Sequence, residues 1–104
     1  MQSYAVRLTE LSQHLVEPVT ALEANPLVKG IQLDSRRVRP GDLFVALEGG
    51  RLDGHRFIPE AVAQGAVAVV GTHPSPPNLH APYIQVQDGR HALAVLSAAF
   101  TQPG

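Results

Sequence analysis

Asp34, Ser35 and Arg36 stand side by side in "LDSRRVRPGD", directly after an apolar stretch that reads as a strand. A carboxylate, a hydroxyl and a guanidinium just past the carboxyl end of a strand occupy the place where open α/β sheets bind ligands. The hydroxyl and the backbone N–H groups of such a turn can bond phosphate oxygens or the edge of a base. The same residues also suit a plain solvated turn, with Asp34 closing an Asx turn and Arg36 paired with a nearby carboxylate. Spacing alone favours the turn.

A second loop, "EGGRLDGH" at residues 48–55, also follows an apolar strand, and its glycines let a backbone approach a ligand closely. It matches neither G-x-x-x-x-G-K-[ST] nor G-x-G-x-x-G, so it is not a phosphate loop of either kind. Its plain reading is a tight turn capped by Asp53. His55, two residues on from Asp53, raises a metal or general-base reading, since imidazole and carboxylate are common ligands and proton carriers. No second His or carboxylate pair stands at helical spacing, and His14, His73, His80 and His91 are scattered. His55 therefore reads as a surface or capping residue. Ser35, His55 and Asp53 can be assembled on paper into a hydrolytic triad, but no sequence order supports it.

These loops need elements to hold them. Leu8, Leu11 and Leu15 recur at helical spacing behind Thr9, a potential cap, and predict a short helix ending before Pro18. Val28 to Leu33 reads as a strand, and "LFVAL" as another, apolar on both faces and hence central. From Asp53 the pattern runs through a helix, with Pro59 in its first turn and Gly65 at its end, into the strand Ala66 to Val70. A Pro-rich loop at 72–82 leads to the strand "YIQV". Asp88 then caps a closing helix whose apolar face is Ala92, Leu93, Val95, Leu96, Ala99 and Phe100. Strands joined by such crossovers are expected to be parallel and right-handed in connection. The fold class is α/β, with a small, mostly parallel or mixed sheet of three or four strands packed by helices. Pro103 and Gly104 after the last helix read as the start of a linker.

The bulk composition narrows the function. With 104 residues the chain is one domain. Eight Lys and Arg against nine Asp and Glu leave a net charge of −1, which gives no field for nucleic acid or an anionic membrane. The absence of Cys excludes disulfides, thiol nucleophiles and Cys-ligated zinc, and fits a reducing cytoplasm. No signal peptide or membrane span is legible.

Read as one block, "LDSRRVRPGDLFVALEGGRLDGHRFIPEAVAQGAVAVV" closely resembles the N-terminal domain of the Mur ligases, the ATP-dependent enzymes that build the peptidoglycan stem peptide. DSR, a PGDLFVAL-like segment, DGHxFIxxA and GAxAVV come in the family's order and spacing, and the resemblance runs from about Gly30 to Pro103. The tail "YIQVQDGRHALAVLSAAFTQPG" is more similar to the MurE branch, which adds the third residue, than to MurF, which adds the terminal dipeptide. Thr101 stands where a Tyr is usual.

The resemblance implies a cytoplasmic enzyme of three domains. All of this chain, 1–104, would be the one that holds the UDP end of UDP-N-acetylmuramoyl-L-Ala-D-Glu. The central domain would bind ATP and Mg2+ and contact this one, and the third would supply the site for meso-diaminopimelate or L-Lys. The resemblance carries substrate contact onto Leu33 and Ser35, and onto Gly50, Arg51 and Leu52, with Arg51 adding charge against a phosphate. Asp34, Arg36, Asp53, Gly54 and His55 would shape the two loops. No catalytic residue, metal ligand or cofactor is expected here, so this piece alone would be inactive. The alternatives are a MurF domain taking the UDP-tripeptide, a stand-alone hydrolase using Asp53 and His55, and an interaction domain without a small ligand.

Overall fold

The computed structural model describes residues 5–15, 25–48 and 53–101. Its centre is a four-stranded, wholly parallel sheet of β3 (Gly30–Gln32), β4 (Asp42–Val45), β5 (Ala68–Gly71) and β6 (Tyr83–Gln85), which lie side by side in chain order. A separate antiparallel ribbon pairs β1 (Val6–Arg7) with β2 (Leu27–Val28). Three α-helices are described: α1 (Leu8–Ser12), α2 (Ile58–Ala63) and α3 (Gly89–Thr101). No helix among the described residues is long and apolar enough to cross a membrane.

The unbroken apolar run in β4 has the cause its sequence implies. Leu43, Phe44, Val45 and Ala46 are all at most 1% exposed, and they alternate between two cores. Leu43 and Val45 join Leu8, Leu11, Val28, Val70, Ile84 and Leu96 on the face covered by α1 and α3. Phe44 and Ala46 join Ile58, Ala61 and Val69 beneath α2. The sheet is thus a filling between two helical layers, and each large side chain so buried contributes about 1.5–3 kcal/mol. On α3, Ala92 and Leu96 are buried, with Leu93, Val95, Ala99 and Phe100 packed at the margin, which is the expected apolar face.

The caps are equally readable. Asp88 Oδ1 accepts the N–H groups of Arg90 at 3.0 Å and His91 at 3.1 Å, and Pro59 sits in the first turn of α2. Gly65, just past α2, has φ +116°, a left-handed conformation that favours glycine, and a Cβ there would meet Pro40 Cα at 2.6 Å.

Three expectations need correction. The strand expected over Val28 to Leu33 is two strands, because the N–H of Lys29 turns to the carbonyl of Gly41 at 2.8 Å and hands Val28 to the ribbon. Leu33 falls beyond β3, and exposed. Thr9 does not cap α1: Arg7 is the N-cap residue without a side-chain cap, and Asn25 Oδ1 accepts the Thr9 N–H at 3.0 Å instead. The helix expected from Asp53 is a 3-10 turn, Gly54–Phe57, followed by α2. Asp53 caps that turn, its Oδ1 accepting the His55 N–H at 2.9 Å.

Candidate functional site

Both singled-out loops leave the carboxyl ends of neighbouring parallel strands, β3 and β4, and therefore emerge on the same rim of the sheet. After β3 the chain makes a 3-10 turn, Ser35–Arg37, that Asp34 starts by accepting the Arg36 N–H at 2.9 Å. The Arg36 guanidinium returns to the same carboxylate with two bonds, Nε to Oδ1 at 3.1 Å and Nη2 to Oδ2 at 3.0 Å. These bonds, first the side-chain pair and then the backbone one, hold the Asp34 carboxyl below its usual range. The Asx turn and ion pair of the plain reading are both present, and Arg36 has its charge matched locally.

Ser35 is different, because it is 5% exposed in a surface turn. Its hydroxyl donates to Glu60 Oε1 at 3.0 Å, and Gln64 Nε2 donates to its carbonyl at 3.1 Å. Glu60 and Gln64 lie four residues apart on and just beyond α2, so one helical face grips one turn residue. A cleft of about 500 Å³ opens here. Leu33 to Arg36, Leu47, Gly54, Phe57 and Glu60 line it, Leu33, Leu47 and Phe57 with apolar side chains and Asp34, Ser35 and Glu60 with polar ones. Leu33 and Ser35, expected to touch substrate, both line this cleft. Gly50, Arg51 and Leu52 lie outside the described residues.

Asp53, His55 and His73 form a second cluster, with ligand atoms within 4.8 Å of one another. The His55 side chain is 9% exposed. Its Nδ1 is hydrogen-bonded to Asp53 Oδ1, and its Nε2 accepts the N–H of Thr72 at 2.9 Å and of His73 at 3.3 Å. Backbone amides only donate, so Nε2 is the acceptor nitrogen and Nδ1 carries the proton. The Asp53 carboxyl is held below its usual range by the His55 backbone N–H first and by its ring second. The His73 ring stacks on that of His55, with centroids 3.8 Å apart and planes at 14°. Its Nε2 lies 2.8 Å from Glu48 Oε2 and 3.6 Å from Asp53 Oδ2. Tyr83 Oη donates to the His73 carbonyl at 2.5 Å, and burial, then the Asp53 charge, pushes the phenol up.

This geometry decides several readings. Both nitrogens of His55 are occupied, so it offers no lone pair to a metal or to a substrate proton. Ser35 bonds Glu60 rather than His55, and the triad of Ser35, His55 and Asp53 is not formed. The hydrolase reading loses its general base. Sequence reasoning passed over Glu60 and His73. The signal for the first was the i, i+4 pair Glu60 and Gln64 facing one way, and for the second a His two residues beyond a strand's carboxyl end.

Comparison with known proteins agrees with the loop motifs. A model described as "Mur ligase family, catalytic domain" matches residues 27–101. A UDP-N-acetylmuramoyl-L-alanyl-D-glutamate--2,6-diaminopimelate ligase of Bradyrhizobium diazoefficiens is 55% identical over 86 residues, 82% of this chain and 17% of its own length. A UDP-N-acetylmuramyl-tripeptide synthetase of Roseiflexus is 45% identical over 96 residues, 91% of this chain and 19% of its own. Among solved structures, MurF of Acinetobacter baumannii superposes with a TM-score of 0.74 at 28% identity, over 91% of this chain and 21% of that one. The chain thus spans about a fifth of the length of the relatives it matches.

Proposed function

The chain belongs to the Mur ligase family, and from that premise we propose that it is the substrate-anchoring domain of a longer, MurE-type ligase. Its task is to hold the UDP part of UDP-N-acetylmuramoyl-L-Ala-D-Glu while the rest of the enzyme adds the third stem-peptide residue. One observation carries this reading: the cleft at the ends of β3 and β4 is lined by Leu33 and Ser35 together with Leu47 and Gly54 from the chain that follows β4. A base fits the floor of Leu33, Leu47 and Phe57, with Ser35 and the turn amides at its edge. By the family resemblance Gly50, Arg51 and Leu52 would meet the diphosphate, where the Arg51 guanidinium would give a charge-assisted bond. Anchoring a nucleotide remote from the reacting carboxylate lets binding energy orient the substrate where bonds change.

The MurE branch is supported by the relatives' names, 55% and 45% identity to proteins named for the diaminopimelate and tripeptide reactions, beside 28% and 39% to two MurF structures. ATP and Mg2+ belong to the proposed parent. The chain has no G-x-x-x-x-G-K-[ST] segment of the kind that holds nucleotide phosphates.

The test is an amide NMR titration of this chain with UDP-N-acetylmuramoyl-L-Ala-D-Glu, with ATP as control. Saturable shifts at Leu33 to Arg36 and across 50–57, with ATP silent, are expected. Shifts absent from both this chain and the full-length enzyme at millimolar ligand would remove the reading. Turnover by the full-length enzyme of the UDP-tripeptide with a dipeptide, and not of the UDP-dipeptide with an amino acid, would move it to the MurF branch.

A further inference from the structure

Ser35 is fixed from α2 at two points. Glu60 Oε1 takes its hydroxyl proton at 3.0 Å, and Gln64 Nε2 donates to its carbonyl at 3.1 Å. The amides around it are spent inside the turn. Gln32 Oε1 accepts the N–H groups of Leu33 at 3.0 Å and Asp34 at 3.2 Å, and Asp34 accepts those of Arg36, at its carboxylate, and Arg37, at its carbonyl. The Ser35 N–H itself has no partner among the described residues. One residue lining the cleft therefore keeps a donor, its N–H, and an acceptor, its hydroxyl oxygen.

We propose that Glu60 is a positioning residue that sets base specificity: by taking the Ser35 hydroxyl proton it leaves that oxygen an acceptor, so that the cleft selects a base with an N–H beside a carbonyl, a uracil rather than a cytosine. This rests on the reading above that the cleft holds the UDP part. A free serine hydroxyl rotates, and donates or accepts as its partner requires. A carboxylate accepts and does not donate, so beside Glu60 the polarity of Ser35 is chosen before any ligand arrives.

Uracil carries its N3–H between two carbonyl oxygens, and the Ser35 pair complements that edge: the N–H meets a carbonyl and the hydroxyl oxygen meets N3–H. A cytosine held in the same place sets its bare N3 against that oxygen, two acceptors with no proton between them. Apolar contact with Leu33, Leu47 and Phe57 cannot tell the two rings apart, whereas an unpaired polar group can.

Base preference is the test. Dissociation constants for UDP-N-acetylmuramoyl-L-Ala-D-Glu and for its cytidine counterpart are measured with the full-length enzyme and with its Ser35→Ala, Glu60→Ala and double variants. The parent should prefer the uridine ligand by about tenfold or more. In Glu60→Ala the freed hydroxyl can turn its proton to cytosine N3, and the preference should fall by about fivefold or more. Ser35→Ala should lower it likewise, and Glu60→Ala added to that variant should change it no further. A merely structural Glu60 would weaken both ligands alike, and a preference unchanged in Glu60→Ala overturns the proposal while the UDP reading stands. Binding of neither ligand, by the full-length enzyme or by this chain, overturns that reading. The hydrogen bond is also read without ligand: the Glu60 carboxyl carbon-13 signal should move in Ser35→Ala, and a signal that stays in place overturns the proposal by itself.

Discussion

Ser35 and Glu60 are 25 residues apart in sequence and joined by a 3.0 Å hydrogen bond, hydroxyl to carboxylate, across the mouth of the cleft. Through it the turn after β3 is fixed to the helix that follows β4. With its proton committed to Glu60, the Ser35 hydroxyl can act toward any further partner only as an acceptor. Ser35→Ala is expected to cost only about 1 kcal/mol of stability, because exposed Glu60 regains water. It should weaken UDP-substrate binding by more than that stability loss would explain. Paired urea melts and NMR titrations of the two proteins check this, and unchanged affinity would remove Ser35 from the site.

Leu33 is 44% exposed and lines the cleft. Leu33→Ala should shift stability by no more than about 0.5 kcal/mol. Affinity for the UDP substrate should fall about fivefold, because a ligand there covers the side chain. Equal affinity would mean the base lies elsewhere.

Gly71→Ala should destabilise by about 1–3 kcal/mol, since the new methyl group invades the space of the His55 ring and the Tyr83 hydroxyl. With His55→Ala in the background, the same change should cost less, because half of the obstruction is gone. A thermodynamic cycle from denaturant melts reads the coupling directly. Strict additivity would show that ring and glycine do not meet.

The depressed Asp53 carboxyl sets an acid limit. In the unfolded chain it takes a proton near 3.8, and in the folded one only at lower pH. Between those values the unfolded state binds more protons, so stability rises with pH there. The contribution is complete above the unfolded value and is lost as pH falls through the folded one. Melts from pH 6 down to about 2 should show a shallower acid loss in Asp53→Asn than in the parent chain. Asp34, lowered by Arg36, adds to the slope in both and does not mask the difference.

Most of the frame was legible because it rests on local chemistry. The unbroken run Leu43 to Ala46 announces a strand covered on both faces, and Asp53, Pro59, Gly65 and Asp88 announce helix ends. The break at Lys29 was not legible, since only the Gly41 carbonyl decides which sheet receives Val28. Nor was the cap on α1, which Asn25 supplies from 16 residues away. At the cleft, motif order pointed to Leu33 and Ser35, which line it, while the contacts of Glu60 and His73 are made across the fold. His55 shows the limit best: in sequence it reads as a surface or capping residue, and its bonds to the amides of Thr72 and His73 depend on contacts across the fold.

Order across the sheet has a kinetic side as well. Because β3, β4, β5 and β6 pair in chain order, each ladder joins strands that are successive in sequence. The entropy of closure is thus divided among three separate connections, each rising only with the logarithm of its length.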